Sequence, residues 1–213
     1  MTSIAIMDRS HPVYQAVLLG GACAVVSLAL IGGFLLTNET IAEKTMEDQL
    51  SSLNQVLPQG SYDNNPLDTM TPHEHPLLLR PAELITATKD GAITATAMQV
   101  TVAGWGGPID MLVATQPDGE ILGVRVISHK DTPGLADKIE IAKSSWITSF
   151  NGHSLTNTTE KQWAVQKDGG MFDQFTGATI TPRAVVRGVH SALEIQADWQ
   201  KNKPIQTTEA DSE

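Results

Sequence analysis

ELITATKDGAITATAMQVTVAGWGGPIDMLVATQPDGEILGVRVIS, residues 83–128, is rich in Thr, Ile and Val and is punctuated at hairpin positions. LITAT (84–88) and ITATAMQVTVA (93–103) are joined by Lys89-Asp90-Gly91-Ala92. The Asp-Gly pair suits the two positive-φ positions of a tight turn and predicts a hairpin. A second hairpin is predicted from residues 109–115 and 121–128 around Gln116-Pro117-Asp118-Gly119-Glu120. Its Leu122, Val124 and Val126 alternate toward one buried face.

Downstream, residues 135–150 carry Ile139, Ala142, Trp146, Ile147 and Phe150 at helix-like spacing, interrupted by Ser144-Ser145, and predict one or two short helices. Trp163 to Val165 predicts a short strand running into the Asp168-Gly169-Gly170 turn. The last element is a helix ending near Trp199, with Thr181 as N-cap, Pro182 at the first position, and Val185, Val186, Val189, Ala192, Leu193 and Trp199 on one stripe. Residues 201–213 have little to bury and read as a disordered tail. Strands followed by helices give an α+β domain over residues 83–200.

Upstream, residues 14–36 form a run of about 23 residues without a charge, long enough as a helix to cross a bilayer core. The run exceeds the apolar core of a signal peptide, and Gly20 three places before Cys23 does not suit a lipoprotein signal. It is therefore read as an uncleaved transmembrane helix, with residues 1–13 cytoplasmic and the acidic body exported. The pairs Gly20/Ala24 and Ala29/Gly33 offer small-residue faces for other membrane helices. Residues 37–82 read as a short juxtamembrane helix carrying Ile41, Met46, Leu50 and Leu53, then an irregular linker broken by Pro58, Gly60, Pro66, Pro72, Pro76 and Pro81. His73 and His75 within it read as solvated loop residues, and no metal site is expected.

With 24 acidic against 14 basic residues the chain carries a formal charge of −10 and has no basic cluster, which excludes a nucleic-acid binder. A single cysteine, Cys23, excludes an internal disulfide and any cysteine-built zinc or iron–sulfur site. Electron chemistry in this chain would need an organic cofactor or a His/carboxylate metal site.

Three glycine-containing segments stand where chemistry would lie: Gly104-Trp105-Gly106-Gly107-Pro108-Ile109, His129-Lys130-Asp131-Thr132-Pro133-Gly134-Leu135 and Asp173-Gln174-Phe175-Thr176-Gly177-Ala178-Thr179-Ile180-Thr181. Thr179 follows two small residues just ahead of a helix N-terminus, where a phosphate would meet unpaired N–H groups and the positive end of the dipole. Arg183 and Arg187 would add charge there. A plain capping turn is the alternative.

The third segment resembles the flavin-attachment signature Asp-x-x-(Ser/Thr)-Gly-Ala-(Thr/Ser) of the FMN-binding domain family, carried here by Asp173, Thr176, Gly177, Ala178 and Thr179. Residues 104–140 look like the other half of that domain, with Thr132-Pro133-Gly134-Leu135 matching a family loop and Ala136 standing where Gly is common. With the N-terminal anchor, the similarity covers nearly the whole chain and is strongest to the G-subunit family of Rnf (Rsx) electron-transport complexes. A related family is that of the C subunits of sodium-translocating NADH:quinone reductases.

The resemblance implies FMN joined by a phosphoester to Thr179, installed by a separate flavin transferase that uses FAD. It implies an electron-transfer subunit of an ion-translocating ferredoxin:NAD oxidoreductase, partnered by the other membrane and peripheral subunits. The chain would sit in a bacterial inner membrane with its flavin domain on the periplasmic side and would supply no catalytic acid or base. The Gly104 to Pro108 loop and the Thr132 to Leu135 loop would border the flavin ring, and His129, Lys130 or backbone amides would bias its reduced anionic form. A quinone-reductase-type flavin subunit and a non-redox binding or assembly module are the alternatives.

Overall fold

A computed structural model of the chain describes residues 12–57 and 60–202. Of the expected cytoplasmic residues 1–13 and tail residues 201–213, positions 1–11 and 203–213 lie outside the described residues, while 12–13 and 201–202 are helical. The chain divides into two compact units, Met1–Gln49 and Leu50–Glu213.

In the first unit the described residues are all helical and belong to α1 (Pro12–Val56). Its segment Pro12–Phe34, 23 residues with a mean hydropathy of 2.3, is long and apolar enough to cross a membrane. Leu18, Leu19, Val25, Leu28, Leu30 and Phe34 are all exposed. A core helix of a soluble protein would bury such side chains, so this surface has the character of a lipid-facing one. The backbone continues as helix through residues 37–56, so no separate juxtamembrane helix begins.

The second unit is built on a five-stranded antiparallel meander of β1 (Thr71–His73), β2 (Ala82–Lys89), β3 (Ala92–Ala103), β4 (Pro108–Thr115) and β5 (Ile121–Ser128), paired in that order. The Asp90-Gly91 turn has φ of 52° and 77°, the left-handed geometry that matches strand twist in a two-residue hairpin. The β4–β5 register shifts between Ala114 and Thr115, which pair with Gly123 and Ile121 and leave Leu122 as the extra residue. Leu122 therefore packs on the face opposite Val124 and Val126, which corrects the single buried face expected for these three.

Both faces of the sheet are covered. One carries the main core, in which Met98, Val100, Val102, Ile109, Met111 and Val113 meet Val185, Val186, Val189 and Leu193 of α2 (Ile180–Asn202). On the other, Leu53, Val56 and Leu57 at the end of α1 pack against Ile85, Ala87, Ala97, Leu112 and Ala114. Small alanines on that face let the helix end approach closely, and a Cβ on Gly123 would lie 3.5 Å from the Val56 backbone. Arg125 sends Nη2 to the Gln55 carbonyl at 3.3 Å, placing a cation at the helix C-terminus.

The proline-rich segment expected to be a linker is part of this unit. Beyond β1, the exposed edge of β2 is completed by side chains. Thr69 Oγ1 accepts from Thr86 N–H at 2.8 Å, while the Asn64 amide donates to Thr86 O at 3.0 Å and accepts from Thr88 N–H at 2.9 Å. His75 is likewise no solvated loop residue, for its Nε2 lies 3.3 Å from Glu194 Oε2 on α2.

Residues 135–150 form two 3-10 helices, Asp137–Ile139 and Ser145–Phe150, and the expected strand near Trp163 is reduced to a single bridge between Val165 and Phe172. Aromatic packing holds this irregular region, with Trp146, Phe150, Phe172, Phe175 and Trp163 linked by ring contacts at 4.4 to 5.5 Å.

Candidate functional site

The signature segment is held from beneath. The Trp146 indole N–H donates to the Asp173 carbonyl at 2.9 Å, and the Phe175 ring is buried 5.1 Å from that of Trp146. The chain then turns over Thr176 and Gly177, with Gly177 at φ 84° and Ala178 N–H donating to Phe175 O at 3.1 Å. This turn delivers Thr179 to the residue immediately before α2, where its carbonyl accepts from Arg183 N–H at 3.4 Å.

Thr179 is thus the N-cap, which moves the helix start two residues ahead of the Thr181 cap expected from sequence. Thr181 is buried within the first turn, and its hydroxyl donates to Asp131 Oδ2 at 2.6 Å. Pro182, lacking an N–H, stands in the first turn where no intrahelical acceptor is required.

Around Thr179 lies a cavity of about 440 Å³. Gly177, Ala178, Thr179, Ile180 and Thr181 form the wall from the signature and α2; Asp131, Thr132, Leu135 and Ala136 form the wall from the loop after β5; and Trp105 reaches in from the β3–β4 loop. Trp105 is 68% exposed, Leu135 48% and Ile180 46%, so three large apolar side chains at the cavity lack protein cover. The volume is that of a small-molecule site. Its chemistry suits an occupant with a flat apolar body and an anionic end at the start of α2.

Of the residues singled out in the sequence, Thr179, Gly177, Ala178, Thr132 and Leu135 come together in this cavity, and Asp173 and Thr176 lie outside its lining. Neither expected cation reaches the helix start. Arg183 forms a two-point ion pair with Asp168, Nε to Oδ2 at 2.5 Å and Nη2 to Oδ1 at 2.7 Å, and Arg187 is exposed. Hydrogen bonding from Arg183 holds the Asp168 carboxyl below the ordinary carboxylate range. His129 is turned away as well, with Nε2 2.9 Å from Glu140 Oε1 and Nδ1 accepting from Asp131 N–H at 3.2 Å.

The residue that sequence reasoning passed over is Asp131. It is 4% exposed, and its Oδ1 accepts from Gly106 N–H at 2.5 Å while Oδ2 takes the Thr181 hydroxyl. One carboxylate thereby ties together all three glycine-containing segments. Gly106 has no room for a side chain, since a Cβ there would lie 2.2 Å from the Lys130 carbonyl oxygen.

The profile of the FMN-binding domain family matches residues 104–194, which include every residue lining this cavity. Over 190 residues the chain is 53% identical to the G subunit of the ion-translocating oxidoreductase complex of Stutzerimonas stutzeri, covering 89% of this chain and 82% of that protein. The G subunits of the same complex from Pseudomonas aeruginosa and Cereibacter sphaeroides are 46% and 44% identical, over 87% and 88% of this chain and 88% and 85% of those proteins. A crystal structure of Shewanella oneidensis NqrC superposes with a TM-score of 0.46 at 22% identity, covering 69% of this chain and 75% of that one.

Proposed function

Because the chain belongs to the family of ion-translocating oxidoreductase complex G subunits, we propose that it carries FMN covalently on Thr179. It is an electron-transfer flavin subunit of an ion-translocating oxidoreductase complex. The finer reading is a ferredoxin:NAD oxidoreductase of the Rnf (Rsx) type in a bacterial inner membrane. Pro12–Phe34 is then the single membrane span and the flavin domain lies on the periplasmic side.

The observation that carries the attachment is the position of the Thr179 hydroxyl, at a helix N-terminus and on the wall of a cavity with an uncovered apolar rim. The cavity fits FMN in chemistry as well as in size, since a flat ring has Trp105, Leu135 and Ile180 to cover and a phosphate has the first-turn N–H groups of α2. Bound FMN supplies the one- and two-electron redox chemistry. The protein's residues position it. Thr179 Oγ1 would provide the oxygen of the phosphoester, and the Thr176-Gly177 turn sets the half-buried Thr179 on the cavity wall that a flavin transferase would address. Attachment from FAD exchanges the hydroxyl proton for the FMN phosphoryl group and releases AMP.

Intact mass and in-gel fluorescence of the denatured full chain, made in membranes with a flavin transferase, test this reading. We expect an added mass of one FMN less one water, absent in Thr179→Ala and retained in Thr179→Ser. No increment in the natural chain would leave Thr179 a capping residue and favour a non-redox module.

A further inference from the structure

We propose that the buried carboxylate of Asp131 holds the midpoint potential of the bound flavin low, acting as a fixed negative charge in the cavity wall. The proposal rests on the flavin-site reading above and concerns what this chain does to the flavin once it is in place.

Among the described residues lining the cavity, Asp131 is the one ionisable group. Both of its oxygens accept hydrogen bonds, from Gly106 N–H and the Thr181 hydroxyl. Neither donor is charged, so the negative charge has no counter-ion in these contacts. Arg183 is paired to Asp168, and exposed Lys130 lays its stem over Gly107, with Cβ and Cδ each 3.3 Å from where a Gly107 side chain would begin. The effect of Asp131 is opposite in sign to the one expected from sequence, where His129, Lys130 or backbone amides favour the reduced anionic form. A buried charge that is hydrogen-bonded but unpaired acts over several ångströms, because little water screens it. It raises the free energy of any state that adds negative charge in the cavity, and reduction adds such charge.

Asp131 also positions the site, so charge and positioning must be separated. Asp131→Asn removes the charge and keeps the shape: its carbonyl still accepts from Gly106, and its amide donates to the Thr181 oxygen. Thr181→Val removes one arm of the tie and keeps the charge. The measurement is the midpoint potential of the covalently loaded full chain by spectroelectrochemistry. Loading is read separately by intact mass, and stability by thermal unfolding of the flavin-free chain.

In the loaded fraction of Asp131→Asn we expect the potential to be shifted upward by a tenfold change in the reduction equilibrium, about 30 mV for a two-electron couple. Thr181→Val should lower the unfolding temperature without an upward shift. An Asn variant that loads with an unchanged potential would overturn the proposal and make Asp131 a structural tie. So would an upward shift in Thr181→Val equal to that of the Asn variant. Loss of loading in the Asn variant but not in Thr181→Val would overturn it too, assigning the carboxylate to the attachment step. If the natural chain takes up no flavin, the flavin-site reading itself has failed.

Discussion

Two glycines at the site separate two kinds of constraint. At Gly177 a Cβ would find open space, its nearest neighbour being Leu135 Cδ2 at 3.9 Å, so the cost of Gly177→Ala is the left-handed backbone alone. That is about 1–2 kcal/mol, and flavin loading should fall in rate but survive, as a time course of intact mass would show. Gly106→Ala must instead push its chain away from Lys130, whose carbonyl oxygen would lie 2.2 Å from the added Cβ, so the same assay should show loading lost together with a lower unfolding temperature. Asp168 gives a test in pH. Its folded value is depressed by Arg183, so the pairing is fully present above the ordinary Asp value of about 3.9 and is lost as pH falls through the folded value. Arg183→Gln should move the Asp168 carboxyl titration upward in an NMR experiment; an unmoved titration would mean that the pair does not form in solution. The signature around Thr179 was legible because its residues are consecutive. Asp131 was not, since its importance lies in partners 25 and 50 positions away along the chain, which no local pattern displays.

Legibility among the elements followed the same division. The two hairpins could be read because Asp90-Gly91 and Asp118-Gly119 have strong backbone requirements, and α2 because its buried stripe repeats over several turns. The segment from 60 to 81 gave no such signal. Its structure is decided by Asn64 and Thr69 meeting the edge of β2, a tertiary event that proline and glycine content alone reads as a linker. The 3-10 helices Asp137–Ile139 and Ser145–Phe150 are similar, for they are shaped to seat Ile139, Trp146 and Phe150 rather than by any helical period. Phe172 is the centre of that aromatic group, stacked 4.4 Å from Phe150 and touching Trp163 and His153. Phe172→Ala should cost about 3–5 kcal/mol in urea unfolding. It should also loosen the Asp173 to Thr179 segment enough to slow flavin loading.

For the molecule as a whole, the end of α1 belongs to the folded unit even though it continues an apolar helix. A fragment that begins at Leu50 keeps Leu53, Val56 and Leu57 on the sheet, whereas one that begins at Gly60 uncovers Ile85, Ala97 and Leu112. At about 1.5–3 kcal/mol for each large side chain, the longer fragment should be monomeric with a cooperative urea transition and the shorter one should aggregate in gel filtration. The meander has a further consequence in time. Its strands pair in chain order, each with a neighbour just made, so the sheet can assemble as the chain emerges. The helix that closes its main core comes last, and Thr179 and Thr181 come with it. Until α2 has been synthesised and docked, there is no cavity and no tie from Asp131 to Thr181. A transferase that reads this surface would therefore modify chains in which α2 has docked and pass over those in which it has not, making the flavin a record that the core has closed.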